Sequence, residues 1–283
     1  MAIKYAVEPP REVPASLNVY RLAPVQSTTK YVTTLSQRFG LTGTLRETVS
    51  SKDWTTYFEG RFRVAVHRVS GAVLYVNRDK YSMETEKEFS LKPQQSEKVA
   101  QAFLERSQFL PMKEMRLHKI THLRSATSDL KGREKVERLI DAGVIYRRFV
   151  DGTPVQGPGG YAMVHIDPEA EVVGLRSVWR TTLKSEAKVK IMPVGAAILA
   201  FEKLASKVQG DVTVTAATFG YFEQSDMDKQ VYLEPAYVFI YTAQNGEVAH
   251  KSVEVISAGQ QTFAKLKGSK RFPAAVQAKR TAG

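Results

Sequence analysis

The sequence predicts an α+β protein made of tandem units, each a helix packed on an antiparallel meander sheet. Two stretches carry that expectation. Val144 to Arg180 (VIYRRFVDGTPVQGPGGYAMVHIDPEAEVVGLRSVWR) reads as consecutive strands joined by glycine-rich or Asp-Pro turns. Val231 to Ile256 repeats the plan with an aromatic-rich strand, an Asn245-Gly246 turn and a second strand of alternating apolar residues. Each follows a segment with helical periodicity.

The first unit, residues 17–91, opens with a short strand from Leu17 to Leu22. Between Ser27 and Phe39, Tyr31, Leu35 and Phe39 recur every fourth residue as one helical face, and Gly40 ends the helix. Trp54 to Glu59 and Arg61 to Arg68 then alternate in period two, and Gly71 turns the chain into Ala72 to Asn77.

The second unit, residues 92–184, starts with a helix from Ser96 to Ser107. Val99, Ala100, Phe103 and Leu104 form its apolar stripe, with Pro93 read as a stop before it and Ser96 as its N-cap. A strand follows from Met115 to Arg124. Lys131 to Ala142 is ambiguous between helix and strand. Val144 to Val150, Tyr161 to Ile166 and Val172 to Arg180 complete the meander, with turns at Asp151-Gly152, Gly157 to Gly160 and Asp167-Pro168.

The third unit, residues 188–260, places Pro193 at a helix start and closes that helix at Gly210. Strands follow at Val212 to Phe222, Gln230 to Thr242 and Glu247 to Ser257. Pro235 lacks an N–H, so its strand is expected to be an edge, bulged or broken there. Residues 261–283 form a basic, flexible tail.

The 283 residues are 43% hydrophobic and 25% charged, ordinary values for a globular chain able to bury a core. The absence of cysteine excludes disulfides, thiol nucleophiles and cysteine-ligated zinc or iron–sulfur clusters. The formal charge is +12, yet Lys265, Lys267, Lys270, Arg271, Lys279 and Arg280 stand in a tail without acids, which weakens a nucleic-acid reading of the folded part. The N-terminal residues carry prolines and charges where a signal peptide needs about 7 to 15 apolar residues, so a cytoplasmic location is expected, or export if a leader has been removed. The apolar run from Ile191 to Phe201 falls well short of the roughly 20 residues of a membrane span.

The phrases YRRFVDGTPVQGPGG, HIDPEAEVVGL and VYLEPAYVFIY, in a helix-then-meander order, resemble the cystatin-like PepSY and thermolysin-propeptide group and related regulatory domains of cell-wall sensors. The resemblance covers roughly residues 92 to 260, with a weaker echo before it. It implies a tandem cystatin-like fold and a binding or inhibitory role.

No chemical motif competes with that reading. His118 and His122 have HExxH spacing, but Lys119 stands where that motif requires glutamate. Both could share a strand face and bind a metal with Asp129 or Glu134, which is the basis of an alternative reading as a metal-dependent enzyme. Gly157 to Gly160 precede a strand, so they are read as a turn and not a phosphate cradle. Asp151, Asp167, Glu169 and Glu171 sit in or beside turns, where they cap backbone.

The expected function is therefore non-catalytic peptide or protein binding, regulatory, inhibitory or precursor-presenting, through a strand edge or groove. The residues singled out for peptide contact are Arg147, Arg148, Arg176, Arg180, Tyr232, Tyr237 and Tyr241. The partner is a peptide or protein, with an acidic one suited to the arginines; no cofactor or metal is expected. A third reading is nucleic-acid binding through the basic surface and tail.

Overall fold

A computed structural model describes residues 2–43, 47–81, 87–128, 135–263, 266, 268 and 272–273. Strands take up 49% of it and helices 16%. In chain order, β1 (Ile3–Tyr5) and β2 (Ser16–Leu22) precede α1 (Thr29–Arg38), followed by β3 (Glu47–Ser50), β4 (Trp54–Glu59), β5 (Phe62–His67) and β6 (Val73–Asn77). After α2 (Pro93–Ser107) come β7 (Met115–Ser128), β8 (Lys135–Val150), β9 (Thr153–Gln156), β10 (Tyr161–Ile166), β11 (Val172–Val178) and β12 (Thr182–Lys190). The chain then forms α3 (Val194–Ala205), β13 (Asp211–Phe222), β14 (Tyr232–Asn245), β15 (Val248–Ser257) and β16 (Phe272–Pro273).

Local chemistry sets the helix ends. Thr28 accepts a hydrogen bond from the Tyr31 amide at 3.2 Å and caps α1, and Gly40 leaves the helix with φ of 88°. In α2, Pro93 is the first helical residue, a place where a missing N–H costs nothing, and Gln95 accepts from the Lys92 amide at 2.8 Å. This corrects the reading of Pro93 as a stop and Ser96 as a cap: the helix begins three residues earlier and buries Ser96 in its first turn.

The described chain forms two compact units. A middle unit comprises Ala23–Thr181 with Ser225–Lys229, and a terminal unit comprises Met1–Leu22, Thr182–Gln224 and Gln230–Gly283. In the middle unit, the strand order is β7-β8-β10-β11-β6-β5-β4-β3, every neighbouring pair being antiparallel. One core lies against this sheet: Val32, Leu35 and Phe39 from α1 join Ala100, Phe103 and Leu104 from α2, over Tyr57, Val64, Tyr75, Val144, Tyr146 and Leu175. Phe39 and Phe103 stack with centroids 5.5 Å apart, so both helices share the core. Full burial of a side chain such as Leu104 or Phe103 is worth about 1.5–3 kcal/mol.

In the terminal unit, β14 lies between β13 and β15, and β1 runs parallel to β13. β2 pairs along β12 and touches the start of β14. α3 buries Ala197, Phe201 and Ala205, with Phe201 stacked on Phe239 at 4.4 Å. Pro235 lies inside a continuous strand and does not break it. Its position falls where the neighbour changes from β2, paired at Leu233, to β15, which begins pairing at Ala236, so no ladder bond needs its N–H.

These pairings overturn the expected tandem cystatin-like units with a helix on each meander. The protein is mostly sheet, partly mixed, and the sheet runs across the expected boundary at residue 91 because β6 pairs with β11 from Val73↔Ser177 to Val76↔Gly174. The strand expected to open the first unit, β2, instead pairs with β12 and β14 in the terminal unit. Residues 17–91 and 92–184 thus share the middle unit over most of their length, while 188–260 is completed by the N-terminal strands. Lys135 onward is strand, which resolves the ambiguous stretch for the described residues. The six cations of the tail lie outside the described residues. Among the described residues no helix is long and apolar enough to cross a membrane.

Candidate functional site

β7 is the longest strand with an unpaired side in the middle unit. It runs for 14 residues (MRLHKITHLRSATS) and pairs with β8 from Met115↔Arg148 to Ser128↔Lys135; among the described residues it has no second strand neighbour. The ladder is irregular at His118, where Leu117 and Lys119 oppose consecutive residues Tyr146 and Ile145, and again between Leu123 and Arg124. Between these points Lys119–Leu123 pairs regularly with Ile145–Asp141. An edge of this kind leaves alternate N–H and C=O groups pointing outward, ready to pair with another extended chain.

The other edge strands among the described residues are shorter: β15 has 10 residues, two of them paired with β16. β3 has 4 residues and β1 has 3. β12 has 9, and its register with β2 shifts twice, at Thr182/Ser185 and Ser185/Ala187, as that of β7 does.

The side chains of β7 make its edge electropositive. Arg116, Lys119 and Arg124 are exposed, and the strand contains no acid. Arg116 donates through Nη1 to the carbonyls of Lys113 at 3.0 Å and Met115 at 2.7 Å, neutral acceptors that leave its charge uncompensated, and its guanidinium lies 5.9 Å from the Phe149 ring. Arg124 stands 3.5 Å from Glu137 with both side chains largely in solvent. His118 is held below the ordinary histidine value, first by desolvation and then by the charges of Arg147 and Lys119.

A second polar feature lies on the sheet face opposite the helices. His165 on β10 pairs in register with Gly143 of β8 and Gly174 of β11, so its ring lies between two positions without a Cβ. A Cβ at Gly174 would stand 2.8 Å from the Tyr81 ring, and one at Gly143 would stand 2.5 Å from Met163 Cε. Tyr81 meets the His165 ring edge-on at 5.1 Å. The buried Asp141 places Oδ2 3.1 Å from His165 Nδ1, and its Oδ1 is buried without a partner among the described residues. Roofed by Tyr81, the pair serves as a strut between β8 and β10.

Asp167, Glu169 and Glu171, at the turn between β10 and β11, are the acids spaced to suit a cation among the described residues. Lys80 already lies among them, with Nζ at 3.2, 2.6 and 2.7 Å from the three carboxylates. The hydrogen bonds that Lys80 donates to Glu169 and then to Glu171 hold its pKa above the ordinary lysine value, and Lys80 in turn lowers that of Glu169. Asp167 Oδ1 also accepts from the amides of Glu169 and Glu171, each at 2.9 Å, as expected of a turn aspartate.

The residues singled out from the sequence are scattered between the two units and mostly work internally. Arg148 is 1% exposed; it donates through Nε to Glu114 at 2.8 Å and through Nη1 to the Arg180 carbonyl at 2.7 Å, and it lies over Trp179. Arg180, also buried, donates to the carbonyls of Ser225 at 2.6 Å and Asp228 at 2.7 Å. Arg176 is exposed and paired with Asp226 at 2.8 Å. Arg147, half-buried, donates to the carbonyls of Gly157 and Gly159 and fastens the glycine turn. Tyr237 and Tyr241 belong to the terminal unit's core, and Tyr232 is half-buried against Phe263. Arg148, Arg180, Tyr237 and Tyr241 are interior residues.

His118 and His122 do not share the strand face that the alternative metal reading requires. The irregularity at His118 breaks the alternation that would align them, and His122 packs edge-on against Phe89 at 5.4 Å. Asp129 and Glu134 lie outside the described residues. The signal for the cations of β7 in the sequence is a strand-forming run without an acid; that Leu117 and Leu123 are exposed is set by the fold.

No protein-family model matches the chain, and no curated protein matches it either. Among solved structures, the chain is similar to an uncharacterized protein from Eubacterium rectale ATCC 33656, with 12% identity, a TM-score of 0.56, and 89% of this chain and 87% of that one covered. That likeness shows the fold alone. A second match is the Bacillus megaterium YpeB C-terminal domain, with 14% identity, a TM-score of 0.37, and 88% of this chain and 98% of that one covered.

Proposed function

We propose that the protein is a non-catalytic polypeptide-binding module that takes up an extended segment by strand addition along β7. The observation that supports this reading is the 14-residue strand with a single strand neighbour among the described residues. Strand addition gains main-chain hydrogen bonds whatever the partner's sequence, and alternate side chains supply selectivity. A regulatory, inhibitory or precursor-presenting protein would each use such an edge. The rival metal-enzyme reading has less to stand on, because Lys80 holds the acid trio at the β10–β11 turn and the two strand histidines are out of register.

The test is selection of binders from a displayed library of random extended peptides, followed by hydrogen exchange on the full chain with a selected peptide. Slower exchange at alternate amides within Lys119–Leu123 is expected. Binding that protects other segments and leaves β7 exchanging as before would contradict the proposal.

A further inference from the structure

We infer that the segment taken up at β7 is acidic at both ends of a short apolar run, and that it comes from a different chain, not from a second copy of this one. The inference rests on the reading of β7 as the docking edge.

Arg116 and Arg124 flank the regular stretch Lys119–Leu123, which itself starts with a cation. At about 3.4 Å per residue the stretch from Lys119 to Arg124 spans roughly 17 Å, so a bound strand of five or six residues would pass all of it. A carboxylate at each end of such a strand would come within the ~8–10 Å over which charges act at physiological salt. Arg116 donates to neutral carbonyls, Lys119 is exposed without an acidic partner among the described residues, and the Arg124–Glu137 contact is long and solvated. Arg116 and Lys119 therefore bring positive charge to the edge that no acid among the described residues offsets, while Arg124 shares its charge with Glu137.

The interior of the stretch asks for apolar groups. Ile120 packs against the core beside the helices, and Leu123 is 38% exposed on the free margin. A directly opposed side chain on an added strand would come within ~5 Å of each.

Charge also excludes the nearest alternatives. Two copies joined antiparallel through β7 would bring like charges together on a shared ladder, which destabilises cross-strand pairs. The chain's own residues 261–283 contain cations and no acid, so they are repelled as well. The occupant must bring its own carboxylates.

The experiment uses the full chain and three synthetic peptides that share one apolar core of alternating valine and threonine and differ only in flanks of glutamate, glutamine or lysine. Binding is read by fluorescence anisotropy and located by hydrogen exchange. The glutamate peptide should bind at least about tenfold more tightly than the glutamine peptide, and raising salt from about 50 to about 500 mM should close most of that gap. Lys119→Gln should narrow the gap, and the triple change Arg116→Gln, Lys119→Gln, Arg124→Gln should abolish it. Equal binding of the glutamine peptide with protection at β7 would overturn the acidic preference and leave strand addition standing. Preference for glutamate that survives the triple change would also overturn it, because the charge would be read elsewhere. Failure of all three peptides to protect β7 would remove both the inference and the reading beneath it. Concentration-dependent self-association that protects β7 would replace the foreign segment with a second copy.

Discussion

Arg116 and Arg148 lie on the two strands of one hairpin, one register step apart, and have opposite fates. Arg116 pairs in register with Arg147, and Arg148 pairs with Met115. Because side chains alternate across a strand, that one step sends Arg116 to an exposed margin and Arg148 into the interior, where it is 1% exposed and joined to Glu114 and the Arg180 carbonyl. The pair teaches that an arginine's role in this protein follows from the face it occupies. Buried struts and exposed cations can be adjacent in space and alike in sequence.

The sharpest way to break the comparison is to remove the strut. Arg148→Met keeps volume and removes the donors, leaving the Arg180 carbonyl and Glu114 without them; a loss of about 3 kcal/mol is expected in chemical denaturation, as for breaking other buried pairs. A loss below about 1 kcal/mol would mean that Arg148 is no strut.

Next in size is Gly174→Ala, which drives a Cβ to 2.8 Å from the Tyr81 ring. Overpacking of this kind costs about 1–3 kcal/mol. The double change with Tyr81→Leu should recover part of that loss, since the two positions are in contact. Additive losses would show that Tyr81 does not roof His165 in solution.

The exposed arm of the comparison predicts the reverse balance. Arg116→Gln should alter stability by no more than ~0.5 kcal/mol, as surface substitutions do, yet weaken binding of an acidic extended peptide several-fold. A variant that unfolds readily would place Arg116 among the struts.

Lys80 is a third kind of cation, partly exposed but already paired, and it gives the smallest effect. Its three carboxylates raise its pKa, so its contribution is present below the unfolded lysine value and is lost as pH rises through the higher folded one. Glu169 has the opposite sign: its lowered pKa makes its contribution present above the unfolded carboxylate value and lost as pH falls through the folded one. Carboxyl titration by NMR should show Glu169 below the ordinary glutamate range, and Lys80→Met should raise it back toward that range. An unchanged titration would separate the two groups.

Much of the local structure was legible because its causes are local. Thr28 caps α1, Gly40 ends it, and the turn glycines read at residues 71, 157, 160 and 246 all have positive φ, from 60° to 95°. The partners of strands were not legible, because periodicity records which face is buried and not what lies beside an edge. Nothing in Val73–Asn77 announces β11, about 100 residues away, and nothing in Ser16–Leu22 announces β12. The tandem-unit expectation failed on those two pairings. The same gap applies to the residues singled out for peptide contact. Arg148 and Arg180 lie in strand-rich, aromatic surroundings that suit recognition, but their acceptors, Glu114, Ser225 and Asp228, are brought to them only by the tertiary fold. The edge of β7 that has no strand neighbour among the described residues was hidden for the converse reason: a sequence does not mark which side of a strand is left unpaired.

The most direct test of strand addition at β7 is intermolecular NOE measurement on isotope-labelled protein bound to an unlabelled glutamate-flanked peptide. The account predicts close contacts from the peptide backbone to Lys119–Leu123 at the two-residue spacing of a β-ladder. Contacts that fall on the helices or the terminal unit, with none along Lys119–Leu123, would contradict it.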